Sequence, residues 1–579
     1  MPLPPLVTPA RPVIAEAAEL PWERSHLSVP REDRALLAIP PLPDAAESAG
    51  ENARLLDASD VAIQGRPLGR LRQEARREAV RLGRRFTRDV LGDVESDADP
   101  EKPLIIPGHQ PALSHPGVWA KNFASANIAR QLDGHVLNLI VDNDLHSNSA
   151  IDVPAGSRAA PTRRAIPFDQ RQKSQPSETV RIQDADLFRT FGERVTEAMR
   201  QWRVDPLIHE HWNLAVRQFE AGRTLPECLT ALRHGIETEW SHHQLELPMS
   251  RLCQSDPFLW AASHLLAHLP RFVGVYNEVL AEYRALYRIK SRNHPVPALE
   301  TRGDWLEAPF WVWRDTAPHR RRVFAKTTGK QTVLADEAGE TFAALPLNET
   351  MDACCAVEVL RSLPAQGIRF RTRALTTTLF ARLFLADLFV HGVGGAKYDE
   401  MTDRIIARFW GIPAPAYATV SASLHLPFAH PFDVAAEDEQ RLVELLRELD
   451  ETPQRHLVAG DNPEVAELLA EKTRLIADQH AAEAHGNLTR KQRRGASSAN
   501  RERFHRLRAV TARLADFTKD QKAAVRHELD DVRSKRRANG LLTNREFSFV
   551  LYPEPKIRGF MKAIDSSHLA PQDESSREA

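Results

Sequence analysis

The apolar run Leu104-Ile105-Ile106 feeds a short turn-forming segment, Pro107-Gly108-His109-Gln110; a helix-length stretch from Val118 to Leu132 then leads to a second apolar run, Val136 to Val141. This succession has the grammar of a βαβ unit. It constrains the chain strongly, because strands joined through a crossover helix lie parallel, and parallel sheets are covered by helices on both faces. The same order returns later. Leu383 to Val390 runs into His391-Gly392-Val393-Gly394-Gly395-Ala396-Lys397-Tyr398, a helix spans Asp399 to Trp410, and Pro415 to Ser421 reads as a further strand. The two halves predict one sheet, and the fold class is α/β.

The remainder is organised around that core. A chain of 579 residues predicts two to four packed units. Residues 1–100 read as a proline- and alanine-rich arm, to about residue 60, followed by a basic helix. In that helix Leu68, Leu71, Ala75, Leu82 and Phe86 share one face, while Arg70, Arg77, Arg81, Arg84 and Arg88 fall on the solvated others. Residues 101–155 form the first half of the core, 156–360 a mainly helical insertion, and 361–430 the second half. The insertion carries a helical stretch, Phe258 to Tyr287, interrupted near Pro270, and a strand at Phe310-Trp311-Val312-Trp313. Residues 431–565 predict an antiparallel helical hairpin with a coiled-coil seam. Its first helix carries Val465, Leu468, Leu469, Leu475 and Ile476; its second carries Phe504, Leu507, Leu514, Phe517 and Ala524 and is capped by Asn539-Gly540. Residues 566–579 read as a polar, disordered tail.

Composition narrows the function classes. A formal net charge of -1 gives no polyanion-binding signal, so nucleic acid is not an expected partner. Met1 to Leu20 lacks the basic and apolar regions of a secretory leader, and no apolar run reaches bilayer length; the reading is a cytoplasmic protein with no membrane partner. Cys228, Cys253, Cys354 and Cys355 make neither a disulfide framework nor a C-x-x-C pair, and Cys354-Cys355 reads as buried, inert thiols.

Three polar segments at strand ends carry the chemistry. In open α/β sheets ligands bind beyond the carboxyl ends of the strands, and a helix start offers free N–H groups to an anion. Gly108-His109-Gln110 and His115 stand there, with Lys121 and Asn122 one turn on. Either imidazole, His109 or His115, can act as general acid or base near neutral pH. Asp142-Asn143-Asp144-Leu145-His146 follows the second strand, where carboxylates can hold an amine or sugar hydroxyls. His391, Gly392, Gly394, Gly395, Lys397 and Tyr398 form a glycine-rich loop that lets backbone approach a ligand, although its spacing is neither that of a P-loop nor that of a dinucleotide fingerprint. Arg371 and Arg373 are candidate anion clamps, whereas the Arg292-to-Pro297 loop reads as structural.

Together these segments resemble the cysteine-ligase family of bacillithiol biosynthesis. That family has a Gly-Gln-Gln-Pro-Gly-Leu loop, an acidic Glu-Asp-His-Asp segment, a Gly-Gly-Pro-Gly-Glu loop and a Phe-Gly-Ile-Pro-x-Pro strand entry. This chain has, in the same order, Gly108-His109-Gln110-Pro111-Ala112-Leu113, Asp142-Asn143-Asp144, Gly392-Val393-Gly394-Gly395-Ala396 and Trp410-Gly411-Ile412-Pro413-Ala414-Pro415. His109 replaces the first glutamine, and Ala396 stands at the loop glutamate. The resemblance implies a Rossmann-like core split by insertions, a C-terminal helical hairpin, and condensation of cysteine with an amino-sugar acid such as glucosaminyl-malate, with ATP or another nucleotide as the possible co-substrate. On this reading His109, His115 and Asp144 carry the chemistry and the remaining polar residues of the three segments, with Arg373, hold substrate. Two other readings are a non-catalytic scaffold or sensor, with the hairpin docking a partner or forming a homodimer, and a metal-dependent hydrolase using His109, His115, Asp142, Asp144 and His146.

Overall fold

The computed structural model describes residues 27–92, 98–146, 148–290, 296–428, 431–460, 462–483 and 490–566, with Trp22 and Arg24. Residues 1–21, 23, 25 and 26 of the N-terminal arm, residues 291–295 of the proline-stiffened loop and the tail from 567 onward lie outside the described residues. The chain forms two compact units: Met1–Val153, Arg164–Pro427 and Arg545–Ala579 make the first, and Pro154–Arg163 with Phe428–Asn544 the second.

The first unit is built on a six-stranded sheet. Its strands are β1 (Ala35–Ile39), β2 (Leu104–His109), β3 (His135–Ile140), β4 (Leu245–Pro248), β5 (Leu388–His391) and β6 (Tyr417–Ser423), and they lie in the order β1-β6-β5-β2-β3-β4. All neighbours are parallel except the edge pair β1–β6. The path runs outward from β2 through β3 to β4, returns to β5 beside β2, and continues the other way to β6. The order therefore reverses between β2 and β5, and the two stretches predicted from sequence meet at that seam.

Five helices position the site: α1 (Leu42–Asp57), α2 (Leu68–Leu91), α3 (Pro116–Gln131), α4 (Leu225–Glu239) and α5 (Val393–Trp410). The crossover helix α3 is buried nearly all round. The sheet covers one side and the C-terminal helix Glu554–Asp565 packs against it, with Asn127 donating to the carbonyls of Ile564 (3.3 Å) and Asp565 (2.5 Å). This return of the chain places residues from Arg545 onward in the first unit, whereas the sequence reading assigned 431–565 to a helical hairpin.

Several expectations change. The predicted N-terminal arm contains β1 and α1, which complete the sheet edge and its cover. In the basic helix α2, Arg72 and Arg76 are buried and converge on Asp387 (2.5 and 2.8 Å), so that face ties α2 to β5. The 156–360 segment supplies β4, and residues 301–372 form a second, antiparallel sheet with Trp305–Arg314 between Ala317–Thr328 and Ile368–Thr372. Helices still make up more of this segment than strands. The helical stretch at 256–286 does break beside Pro270, at His268. The apolar run Leu383–Val390 is helical up to Leu385, and only Leu388–His391 is strand.

In the second unit, helix Ala436–Glu451 packs on Lys519–Leu542 through Leu442, Leu449, Val525, Leu529 and Val532. Helix Pro463–Glu483 packs on Arg490–Asp516, with Arg506 paired to Glu471 and Arg513 to Glu464. The predicted second helix is thus two, broken at Phe517-Thr518. Across this break the apolar stripe shifts: Val510 and Leu514 are buried, Phe504, Phe517 and Ala524 exposed. Asn539 does not cap. Its amide holds both backbone groups of Phe432 (2.7 and 2.8 Å), and the helix continues to Leu542.

Candidate functional site

Beyond β2, His109 is tied at both ring nitrogens. Asn138, buried within β3, donates to His109 Nε2 (3.3 Å) and to Glu246 (3.1 Å), which leaves the ring proton on Nδ1, 3.0 Å from the Gln110 carbonyl. Burial, with Arg233 and Lys121 nearby, lowers the imidazole to about 3. His115 caps α3, its Nδ1 accepting from Gly117 N (3.1 Å), and burial with Arg545 and Lys121 lowers it to about 4. Burial favours the neutral ring at both positions; His109 shapes the loop, and His115 holds the helix start.

The cationic side chains tell more. Lys121 is 4% exposed, and its Nζ donates to the carbonyl of Gly108 (2.5 Å). Among the described residues it has no carboxylate partner, and burial lowers it to about 8. Arg545 reaches Ser421 Oγ (2.9 Å) and the Ala422 carbonyl (2.7 Å) at the end of β6; its Nε is buried without a partner, and burial lowers its pKa. Both cations bear electrostatically on His115 at the α3 N-terminus. Gly117 permits this approach: a Cβ there would run into the Ala422 carbonyl and the Arg545 guanidinium. The α3 start and these two cations make this end of the sheet, beside the β2–β5 seam, electropositive.

Asn122, also expected to reach an anion, points away. It donates to Glu237 (2.8 Å), which with Glu246 is held by Arg233 (2.7 Å to each). The cluster of His234, Glu237 and Glu246 has metal-ligand character, but Arg233 already supplies its cation.

The acidic segment splits. Asp142 is buried; it accepts from Ser250 N (2.8 Å) and Ser250 Oγ, and burial with the nearby Glu178 raises it to about 7. Asn143 donates to the Thr372 carbonyl (2.9 Å), and His146 bonds Ser149 (3.1 Å). Asp144 faces the β2 loop: Gln110 donates to one oxygen, Arg320 to the other (2.8 Å). The guanidiniums of Arg320 and Arg373 lie 4.7 and 4.3 Å from the Trp311 ring centroid, and Arg373 also binds Glu307 (2.6 Å). Arg371 is locked to Glu178 by two 2.9 Å bonds. Among the described residues, no three of His109, His115, Asp142, Asp144 and His146 gather as metal ligands, which corrects the hydrolase reading.

The third segment is not a loop. Gly394, Gly395 and Lys397 lie in the first turns of α5 and are exposed. His391 bonds Asp399 (2.9 Å), which pairs with Arg382 (2.6 Å). Burial alone would raise the Asp399 carboxyl, but Arg382 and His391 hold it well below the usual range. Gly395 is required because a Cβ there would meet the His391 ring at 2.8 Å. Tyr398 stands beside Tyr283, with ring centroids 6.5 Å apart. This segment lies on the strand next to β2, yet its polar partners are its own.

Gln110 and Asp144 are thus brought together, as are Gly108 and Lys121. Sequence reasoning missed Arg545, Arg320, Ser250 and the Arg233 cluster; only Phe547-Ser548-Phe549-Val550-Leu551-Tyr552, an apolar run after a polar helix, signals that the chain returns to the core. No protein-family model and no curated protein matches this chain.

Proposed function

We propose that the protein is a ligase or group transferase whose Rossmann-like core binds an anionic small molecule where the strand order reverses. The observation that carries this is Lys121, a buried ammonium with no carboxylate partner among the described residues, which together with Arg545 bears on His115 at the α3 N-terminus. Burying such a charge costs several kcal/mol unless an anion answers it. A carboxylate or phosphate is the fitting ligand. Gln110, Asp144, Arg320 and Trp311 form the neighbouring wall, suited to a polar, amine-bearing partner. Asp142, raised to about 7, can take a proton as the amine attacks. The resemblance names cysteine and an amino-sugar acid as substrates, with a nucleotide to activate the carboxylate; Lys121 and Arg545 fit a phosphate of such a group.

The test is mass spectrometry of the purified protein with cysteine, glucosaminyl-malate and ATP, beside thermal shifts with each compound and with inorganic phosphate. An amide product or a saturable anion shift supports the reading; neither response overturns it. A second reading, a scaffold relative that docks a partner or a second copy through its C-terminal helices, is favoured by Phe504, which is 56% exposed on Arg490–Asp516. Light scattering of F504S against the wild type decides it: an unchanged mass and no lost partner count against docking.

A further inference from the structure

Helix Cys354–Ser362 opens with two exposed thiols, and their sulfurs stand 3.7 Å apart. Cys354 also lines an open pocket of about 440 Å³. The two arginines of that pocket are committed elsewhere. Arg361 grips Asp256 with two bonds (2.8 and 2.7 Å), and Arg66 binds Glu74 (2.8 Å) with its guanidinium 3.6 Å from the Trp260 ring centroid. The sulfurs are therefore reachable from solvent and are not held by a neighbouring cation.

Two neighbouring thiols can close on each other or on a third atom, and the backbone decides between these. Consecutive Cα atoms lie about 3.8 Å apart, below the roughly 4.4 Å at which ordinary disulfides begin, so closing an S–S bond here works against the chain. A tetrahedral ion with metal–sulfur bonds of about 2.3 Å spans sulfurs about 3.8 Å apart, which is the spacing these side chains offer. Asp352 stands at the same turn. Its carboxylate accepts from Cys354 N (2.7 Å) and, together with Cys355, pushes the Cys354 thiol up to about 11. Little thiolate then forms at neutral pH to be oxidised, and the carboxylate favours an arriving cation. We propose that Cys354 and Cys355 form a two-sulfur chelate for a thiophilic divalent metal ion such as zinc, with water completing its coordination. Binding replaces both S–H bonds by metal–sulfur bonds and releases two protons to solvent.

Anaerobic titration of the reduced full chain with cadmium chloride, a spectroscopic stand-in for zinc, tests this. The expected result is a thiolate-to-cadmium ultraviolet absorption that saturates at one ion per chain and is displaced by zinc chloride but not by magnesium chloride. It weakens about tenfold or more in C354S and in C355S. In weakly buffered solution two protons appear for each ion bound. Both residues face solvent, so serine leaves the core intact. Should a variant nonetheless fail to fold, protection of wild-type Cys354 and Cys355 from maleimide by zinc, read by peptide mapping, takes its place. No thiolate absorption, equal affinity in either variant, a separate ion on each sulfur, or labelling unchanged by zinc overturns the proposal.

Discussion

The ammonium of Lys121 lies 2.5 Å from the carbonyl oxygen of Gly108 and has no carboxylate partner among the described residues. Replacing it by methionine removes a charge that burial disfavours. K121M is expected to match or exceed wild-type stability, by about 1 kcal/mol, and to lose stabilisation by phosphate. Because the folded pKa, about 8, lies below the unfolded value, the unfolded chain holds more protons between them. This group's contribution to wild-type stability therefore rises from pH 8 to about 10.4, and the rise is absent in K121M. Urea denaturation across that range checks both; a K121M protein that still responds to phosphate contradicts the anion role.

Asp142 has the opposite sign. Its folded pKa, about 7, lies above the unfolded value, so its contribution is fully present below about pH 4 and is lost as pH rises through 7. D142N, which keeps an oxygen for Ser250, is expected to flatten that stretch and to gain on the order of 2 kcal/mol at pH 8. Parallel denaturant curves at pH 5 and 8 give the comparison; an equal pH slope in both proteins rules the assignment out.

Arg72 and Arg76 depend on one carboxylate. D387A leaves two buried guanidiniums without their counter-ion, and a loss of about 3–5 kcal/mol is expected. Calorimetric melting of D387A checks it, and a change below 1 kcal/mol means that water reaches the pair.

The cysteines separate by exposure. Cys354 and Cys355 are exposed, with sulfurs 3.7 Å apart, although their apolar neighbours in sequence imply buried thiols; Cys228 and Cys253 are buried and raised to about 12. Helix Cys354–Ser362 turns Ala356, Val357 and Leu360 inward and leaves its first residues outward. Native maleimide labelling is expected to modify the first pair within minutes and the second only on unfolding, with peptide mapping as the readout.

What the sequence made legible was the local grammar around each parallel strand. Leu104–Ile106 and Val136–Ile140 are strands, and the polar residues after them do cluster, as Gln110 with Asp144. What stayed hidden was distant partnership. Leu383–Leu385 is as apolar as a strand, but as part of a buried helical turn it sets Arg382 against Asp399, and periodicity cannot separate the two states in so short a run. Gly394 and Gly395 suggest a loop only while His391 is out of view. The role of His109 depended on Asn138, whose side chain reads from sequence as one polar residue in an apolar strand.

The sheet's edge bears on biosynthesis. Ala35–Ile39 emerges early, yet the strand it pairs with, Tyr417–Ser423, follows about 380 residues later. At roughly 5–20 residues per second, the nascent first strand waits about 20–80 seconds with its ladder groups open. The sheet edge closes only after that interval, so a ribosome-associated chaperone that shields this strand should raise the yield of folded protein.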